Sequence, residues 1–430
     1  MALSRIVTLS VIMMGVLFTQ STLQAQSQDR YLHPRLILKQ TDVFPGAGGK
    51  RVAAVGAVVT AGGNEVATIG TLTGGGAEGF LYVADPFKGR RFSLLAGQLG
   101  TKRFNLNRFG VGVPKIWPAA ARRTIGVNAT LLDNTAAVVG HRGVVQSVGD
   151  PAVGLPVDAN ITGIARVDMT LRNQLFWRAN WQVQGGGSGS AMYTSIDGTP
   201  QNIKLLLKTG DQLKQGTITS LSNHRFSQSG KQHAQVVWLN DGTATKQSMY
   251  FNGKILFQRG DPIGNTGEKW DQLWFHDVNS QGHVFMSAFT DGPWYRDSVF
   301  TLNGKVVMRE GDIIDGIYIT PNAEANQTRL DDNGRALSLW AKGGISGPYA
   351  IFYTPNIKNF DKTKHLISEN TPLDFNGDGI ADATLYRFRF FSDAGLTMEL
   401  GRSGAFISVE LDFPNGARRR AIIFVPYPLV

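Results

Sequence analysis

The chain has 430 residues and no cysteine, and its formal net charge is +10 at pH 7. The absence of cysteine excludes disulfide and thiolate chemistry, so an exported chain of this length must be stabilised by a buried core. The basic excess favours acidic partners, with simple solubility as the alternative explanation. No nucleic-acid-binding motif is present, and we expect no nucleic-acid partner.

Residues 1–25 are predicted to be a signal peptide, and residues 26–430 a single mature domain. Arg5 precedes the apolar run Ile6–Phe18, and Ala25 stands at the expected cleavage point. The run is too short to span a membrane, and no other stretch reaches the roughly 20 apolar residues that a span needs. We therefore expect a secreted or periplasmic monomer without a membrane span after cleavage; a membrane anchor is the alternative.

A short motif, an apolar run closed by Gly-Asp, recurs along the chain at intervals of roughly 50 to 60 residues, a period typical of propellers and solenoids. The clearest copies are Val144–Asp150, Leu205–Asp211, Ile255–Asp261 and Val306–Asp312, and the degenerate ones are Leu36–Asp42, Phe92–Gln98 and His365–Asn370. Glycine permits a positive φ, and an Asp side chain can accept hydrogen bonds from the backbone of a bend. We therefore interpret the motif as a structural turn rather than as a ring of acidic ligands.

Each period contains four short strands separated by turns, and the pattern is clearest in residues 262–312. The strands predicted there are Trp270–Val278, His283–Phe289, Ser298–Leu302 and Lys305–Arg309. Asn303-Gly304 between the last two is a strong hairpin signal. Because four-stranded units that stack radially form a propeller, we predict an all-β fold with seven four-stranded antiparallel blades.

The ring closes with seven blades if residues 35–41 supply the fourth strand of the C-terminal blade, which also hides the edge strands. The other strands predicted for that blade are Leu385–Phe391, Leu396–Leu400 and Phe406–Phe413. Its first turn is placed at Ser392–Gly395. The position of Ala421–Val425 in the blade is left open.

One stretch, residues 374–382, interrupts the repeat and has the ligand spacing of a Ca²⁺ loop. Positions 1, 3, 5, 7 and 9 of such a loop would be filled by Asp374, Asn376, Asp378, the Ile380 carbonyl and Asp382. Gly379 at position 6 allows the sharp turn, but position 12 is Leu385 instead of a bidentate Glu. The stretch resembles the loops of dockerins and of integrin-type propeller repeats, which implies Ca²⁺ as a structural cofactor. A turn without metal is the alternative.

A set of polar residues recurs at one position of the predicted first strands. Counting six residues back from the first-turn glycine of successive units gives His224, His276, Thr328 and Arg389. We expect these side chains near the top rim of the central channel, together with the Ca²⁺-like loop. The other candidate ligand-binding residues are Arg225 and the aromatic pair Trp294 and Tyr295. A partly basic rim suits an acidic ligand; the alternative is that these are ordinary hydrogen-bonding residues at a shared blade position.

With its N-x-x-G turns, the mature chain resembles secreted bacterial tandem-repeat propellers, a group without one known activity. At the level of the fold it is also similar to the propeller polysaccharide lyases that cleave ulvan-like acidic glycans. The interpretation that we prefer is a non-catalytic exported propeller that binds a glycan or protein on its top face, with an acidic polysaccharide or a cell-surface ligand as partner. The second implies β-elimination, in which Arg389 or Ca²⁺ neutralises a uronate carboxylate and His224 or His276 abstracts the C5 proton.

Overall fold

In a computed structural model of the protein, seven antiparallel sheets are arranged around a central axis as a β-propeller. The residues that the structure describes are 33–74, 79–95, 118–121, 124–131, 135–140, 143–170, 172–341, 348–389 and 398–428. The prediction of an all-β, seven-bladed propeller is confirmed. The predicted signal peptide and the predicted turn Ser392–Gly395 lie outside the described residues.

The chain begins with β1 (Arg35–Lys39), which belongs to the last blade, and then builds three blades in chain order. Blade 1 contains β2 (Val52–Gly62), β3 (Glu65–Leu72), β4 (Gly79–Asp85) and β5 (Gly89–Leu95); blade 2 contains β6 (Pro118–Ala121), β7 (Thr124–Thr130), β8 (Ala136–Gly140) and β9 (Gly143–Ser147); blade 3 contains β10 (Ala159–Met169), β11 (Leu175–Val183), β12 (Ser188–Ser195) and β13 (Ile203–Lys208). A 3₁₀ turn, Pro200–Asn202, precedes β13.

The next three blades repeat this order, with short additional strands. Blade 4 contains β14 (Gln212–Leu213), β15 (Gly216–Phe226), β16 (His233–Asn240), β17 (Thr245–Phe251) and β18 (Lys254–Gln258); blade 5 contains β19 (Trp270–Val278), β20 (Val284–Thr290), β21 (Ser298–Leu302) and β22 (Lys305–Arg309); a hairpin of β23 (Ile313–Ile314) and β24 (Ile317–Tyr318) follows; blade 6 contains β25 (Glu324–Leu330), β26 (Ala336–Ala341), β27 (Tyr349–Thr354) and β28 (Lys364–Ser368). A second 3₁₀ turn, Phe360–Lys362, precedes β28.

Blade 7 combines the two ends of the chain, as the sequence predicts. Its strands are β29 (Pro372–Leu373), β30 (Ala383–Phe388), β31 (Met398–Leu400), β32 (Gly404–Asp412), β33 (Arg418–Pro426) and, at the outside, β1. β1 pairs with β33, and the side chain of Leu38 in β1 is buried. The segment Ala421–Val425, whose position is left open by the sequence, is thereby the third strand of the blade.

The Gly-Asp motif is a turn that links the outer strand of one blade to the inner strand of the next. Gly210, Gly260 and Gly311 have φ near +90°, a conformation that favours glycine. The following aspartate accepts a hydrogen bond from the backbone N–H three residues earlier, for example Asp261 Oδ2 from Gln258 at 2.8 Å. The equivalent bonds end on Asp42, Asp150, Asp211 and Asp312. The structural interpretation of the motif is confirmed.

The propeller has two faces, which we name by the direction of the inner strands. The entry face is the face at which the inner strands begin, and it carries residues 374–382 and the β20–β21 loop. The turn face is the face at which the inner strands end, and it carries the N-x-x-G turns. Turn residues bond around this face: the Ser280 N–H donates to Asp332 at 2.7 Å, and Ser280 Oγ donates to Ser229 Oγ at 2.8 Å.

The inner strands share a β-bulge at about the same depth in the channel. In blades 4, 5 and 6 the pairing shifts between Leu221 and His224, between Leu273 and His276, and between Ala325 and Thr328. Hydrophobic clusters fill the spaces between neighbouring blades. Within the described part of the chain, no helix is long and apolar enough to cross a membrane.

Candidate functional site

The predicted residues His224, His276 and Thr328 do occupy equivalent positions, but these positions lie near the turn face. Only two residues of β19 follow His276, and only two of β15 follow His224. The expectation that they lie at the rim carrying residues 374–382 is therefore corrected. The reason is register: the inner strands enter at that rim, and the shared position comes after the bulge, toward the opposite end.

These three side chains are buried, and two of them bond across blades in the same way. His276 Nε2 donates to the Ala234 carbonyl at 3.1 Å, and Thr328 Oγ1 donates to the Phe285 carbonyl at 3.4 Å. Both acceptors are equivalent residues in the second strand of the preceding blade. Desolvation lowers the pKa of His224 and of His276, so that both imidazoles are neutral near pH 7. The alternative of a structural hydrogen-bonding position accounts for these contacts, and their catalytic role stays a prediction.

Arg389 does not occupy the same position as the histidines. In blade 7 the pairing steps from Phe388–Val409 to Met398–Ile407, so the residue equivalent to His276 is Met398. Nine residues, 389–397, lie between these two pairings in the sequence, where two residues lie between the corresponding pairings of blades 4 to 6. The turn that links β31 to β32 is Gly401–Gly404. Counting back six residues from Gly395 therefore does not reach the position equivalent to His276.

Next to the shared position, the inner strands carry charged residues that line one cavity at the turn-face end of the channel. Its lining includes Arg166, Asp168, Arg225, Asp277, Arg329 and Glu399, and its volume is about 130 Å³. We call this cavity the axial chamber. From blade 3 to blade 7 the residue following the shared position alternates in sign: Asp168, Arg225, Asp277, Arg329, Glu399. Arg225, a predicted ligand-binding residue, is one of them.

Opposite charges in the axial chamber are held together by short contacts. Arg166 donates from Nε and Nη2 to Asp168 Oδ1 at 3.0 and 2.9 Å, and Arg329 Nε donates to Glu399 Oε1 at 3.1 Å. Asp277 accepts from the Leu330 N–H at 2.9 Å. Burial raises the pKa of Asp168 and Asp277, and it raises that of Glu399 to about 7 in spite of the neighbouring Arg329.

A second cavity, which we call the arginine cleft, lies between blades 6 and 7 and contains Arg389. It has a volume of about 380 Å³ and is lined by Tyr349, Glu369, Arg387, Phe388, Arg389 and Arg420. Arg387 and Arg420 face each other across β32, because each pairs with Glu410. Sequence reasoning missed both arginines, since only the cross-strand register brings them beside Arg389.

One carboxylate, that of Glu410, is shared by three guanidinium groups at the arginine cleft. Its oxygens lie 2.8 Å from Arg387 Nε, 3.0 Å from Arg389 Nη1 and 3.5 Å from Arg420 Nε. Burial acts to raise the pKa of Glu410, but the hydrogen bonds and charges of Arg387 and Arg389 outweigh it and lower the pKa. Burial and the like charge of Arg420 lower the pKa of Arg389. The cleft therefore combines an ionised Glu410 with an excess of positive charge.

In the loop of residues 374–382, the Asp374 carboxylate accepts hydrogen bonds from the backbone. The N–H groups of Gly377 and Gly379, both at positive φ, donate to the two oxygens of Asp374 at 2.6 and 2.7 Å. Desolvation acts to raise the pKa of Asp374, but these bonds together lower it. Ionised carboxylate and amide oxygens are the donors that Ca²⁺ prefers. No three His, Cys, Asp or Glu side chains converge as a metal site among the described residues, and calcium stays a prediction.

The aromatic pair Trp294 and Tyr295 lies in the β20–β21 loop on the entry face. Their rings meet edge to face at 5.7 Å between centroids, and both are exposed, by 64% and 45%. They are available for stacking on a ligand, as predicted, but they belong to blade 5 and do not line the arginine cleft. Thr328 and Arg225 lie toward the turn face, so the predicted site residues do not form one site.

The residues of the axial chamber have a sequence signal that was overlooked. They stand five residues, instead of six, before the turn residue with positive φ, which is Asn173, Gly230, Gly282 or Gly334 in blades 3 to 6. The alternation of sign at this offset could have been found in the sequence.

Neither models of known protein families nor curated proteins match the chain. Among solved structures it is similar to the β-propeller domain of the Trilobed protease from Pyrococcus furiosus, with 9% identity, coverage of 85% of this chain and 94% of that chain, and a TM-score of 0.46. It is also similar to a protein of unknown function from Dyadobacter fermentans (11% identity, 92% and 98% coverage, TM-score 0.37) and to the WD40 domain of SCAP from fission yeast (8% identity, 87% and 96% coverage, TM-score 0.36). These likenesses concern the fold and carry no argument about function.

Proposed function

We propose that the chain is an exported propeller that binds an acidic ligand, of the acidic-polysaccharide class, in the arginine cleft. The observation that carries this proposal is the crowding of Arg387, Arg389 and Arg420 around Glu410. Among the described lining residues of the cleft the other carboxylate is Glu369, and burial raises its pKa. A carboxylate or sulfate group would meet an excess of guanidinium donors there.

The exposure of the three arginines suits a ligand that approaches from solvent. The side chains of Arg387 and Arg420 are 57% and 43% exposed, whereas that of Arg389 is 10% exposed. Two outer guanidinium groups can therefore bind an incoming anion while the buried one stays on Glu410. Guanidinium binds planar carboxylates through paired hydrogen bonds, and it is less strongly hydrated than ammonium. A volume of about 380 Å³ lies within the range of ordinary ligand sites, roughly 300–1,000 Å³.

The β-elimination alternative receives no support from the arrangement of side chains. Its proposed bases, His224 and His276, are buried near the turn face, and neither lines the arginine cleft. A general base must come within hydrogen-bond reach of the proton that it removes, about 3 Å. Binding without catalysis is therefore the function that the geometry favours. Ca²⁺ in the loop 374–382 would serve to stiffen the entry face.

The proposal is tested by measuring the affinity of the mature chain for an acidic polysaccharide, polygalacturonate, in wild type and cleft variants. Arg387→Ala and Arg420→Ala should each weaken binding about tenfold, equivalent to about 1.4 kcal/mol, because each removes a charged hydrogen-bond donor. Glu410→Gln should tighten binding, since it removes the carboxylate that competes with the ligand for the same arginines.

The matched control is Arg172→Ala, which removes the same charge from an exposed position in the first turn of blade 3, outside the cleft. It should leave the affinity unchanged. Equal losses in Arg172→Ala and in the cleft variants would show that net charge alone attracts the polymer, and wild-type affinity in both cleft variants would refute the cleft as the site.

A further inference from the structure

We propose that the axial chamber is a second ligand site, separate from the arginine cleft, and that it binds a small zwitterion of the α-amino-acid class. The chamber offers an unpartnered buried donor, an unpartnered carboxylate oxygen and side chains of both signs. Each of these observations constrains the ligand in a different way.

The donor is the guanidinium group of Arg329, which is only 4% exposed. Its Nη1 donates to the Thr328 carbonyl at 2.7 Å and its Nε to Glu399, while Nη2 has no hydrogen-bond partner within the described residues. Arg225, two blades away in the ring, donates from Nε to the His276 carbonyl at 3.3 Å and forms no ion pair with any described residue. A buried donor without a partner is unfavourable, so an acceptor group such as a carboxylate is favoured beside Arg329.

The acceptor is Asp168. Its Oδ1 accepts both bonds from Arg166, whereas its Oδ2 accepts no hydrogen bond among the described residues. His224 Nε2 lies 3.4 Å from Oδ2, without the geometry of a hydrogen bond. Asp168 lies in blade 3 and Arg329 in blade 6, so the two groups reach the chamber from different sides. An ammonium group would satisfy Asp168.

The chamber carries side chains of both signs, which favours a ligand that also carries both. Three arginines, at 166, 225 and 329, and three acids, at 168, 277 and 399, line it. A fourth acid in the lining, Asp331, is paired with Arg335 at 2.6 Å. A zwitterion supplies an anionic group for Arg329 and a cationic group for Asp168. It adds no net charge to the buried space, where an added net charge is expensive.

The size of the chamber limits the ligand to a very small one. Its volume of about 130 Å³ is close to the ~150 Å³ cavity that holds benzene, a molecule of about six heavy atoms. Glycine and alanine have that size, and larger amino acids exceed it. Gln228 and Asp331, which belong to first turns, also line the chamber, so entry is expected from the turn face.

The test is isothermal calorimetry of the full mature chain with glycine, alanine, leucine, acetate and methylammonium as probes. Glycine and alanine should bind, and leucine, acetate and methylammonium should each bind at least about tenfold more weakly, which is about 1.4 kcal/mol. Absence of binding by both glycine and alanine would overturn the proposal and leave the chamber to water. Acetate binding as tightly as glycine would also overturn it, in favour of an anion site.

Variants then place the binding in the chamber. Arg329→Gln combined with Glu399→Gln removes a donor together with its partner, so that no buried charge is left alone, and it should abolish glycine binding. Val59→Phe should also abolish it by filling the chamber without changing charge, which keeps the proposal testable if the double variant does not fold. The control Arg387→Ala, in the arginine cleft, should bind glycine as wild type does. Retention of glycine binding by a folded Val59→Phe variant would overturn the assignment.

The two sites are separable in this experiment. Folded chamber variants should keep the affinity of wild type for polygalacturonate, because none of their substitutions lies in the arginine cleft. A negative result with glycine would therefore not contradict the proposed function of the arginine cleft. A negative result with polygalacturonate would not contradict ligand binding in the axial chamber.

Discussion

At the scale of single residues, burial decides what the histidines of this propeller can do. His224, His233 and His276 are at most 9% exposed, and His233 stacks on Phe226 at 4.3 Å between ring centroids. Desolvation lowers the pKa of His233 to about 3, with a further contribution from His276. A neutral, buried imidazole packs and donates a hydrogen bond, but it does not provide a cationic contact for a ligand.

This burial predicts a dependence of stability on pH. The pKa of His233 is about 3 in the folded chain and about 6.5 when unfolded. Between these two pH values the unfolded state binds more protons than the folded state. The stability that His233 contributes to the folded chain is therefore present above about pH 6.5 and is lost as the pH falls toward 3. Lowering the pH from 7 to about 4.5 should therefore reduce the free energy of unfolding of wild type by about 2 to 3 kcal/mol more than that of His233→Phe.

Urea unfolding at the two pH values measures the difference. Phe226→Leu is the control, because it disturbs the same stack without removing a titrating group, and its pH dependence should match that of wild type. An unchanged pH dependence in His233→Phe would contradict the assigned burial.

At the scale of elements, the sequence predicts the strands well where short-range signals fix them. Trp270–Val278, Ser298–Leu302 and Lys305–Arg309 match β19, β21 and β22. Asn303 and Gly304 both have positive φ, as the two-residue hairpin requires. Local turn chemistry was sufficient because each of these strands pairs with its neighbour in the chain.

The insertion in blade 7 could not be predicted by the same means. β30 and β31 both pair with β32, and residues 389–397 separate them. A bulge of two residues and an insertion of this length give the same apparent strand-turn-strand pattern in a glycine-rich chain. The arginine cleft depends on pairings between strands distant in sequence, Arg387 with Glu410 and Glu410 with Arg420, and no local pattern encodes that register.

The loop 374–382 is an element whose predicted metal has a simple test. Millimolar Ca²⁺ should raise the melting temperature, because a ligand that binds only the folded form stabilises it by mass action. Asp378→Ala should remove that increment, since it deletes the ligand predicted at position 5. Asp361→Ala, in an exposed 3₁₀ turn, is the control and should keep it. No calorimetric heat on addition of Ca²⁺ would leave the loop as a turn.

At the scale of the whole molecule, the ring depends on β1. Leu36 and Leu38 pair with β33, and the Thr41 N–H donates to the Val52 carbonyl at 2.8 Å, so one short segment joins blade 7 to blade 1. Phe406, Ile422 and Phe424 of blade 7 pack in one cluster with residues of blade 1. Loss of β1 exposes both an unpaired strand edge and part of this apolar interface.

Deletion of residues 26–42 should therefore abolish the cooperative melt or cause aggregation. A shorter deletion of residues 26–32, which precede β1, is the matched control and should melt as the full mature chain does. Calorimetry and size-exclusion chromatography measure both outcomes. A soluble 26–42 deletion with an unchanged melt would contradict closure by β1.

The arginine cleft is proposed to recognise the negative charge of a polysaccharide. This proposal is tested most directly by titrating the wild-type chain with oligogalacturonate and with its methyl ester, which has the same backbone without the carboxylates, at about 50 mM and about 500 mM salt. We expect only the acid to bind, with an affinity that falls as salt rises. Equal affinity for the acid and the ester, or an affinity for the acid that does not change with salt, would contradict it.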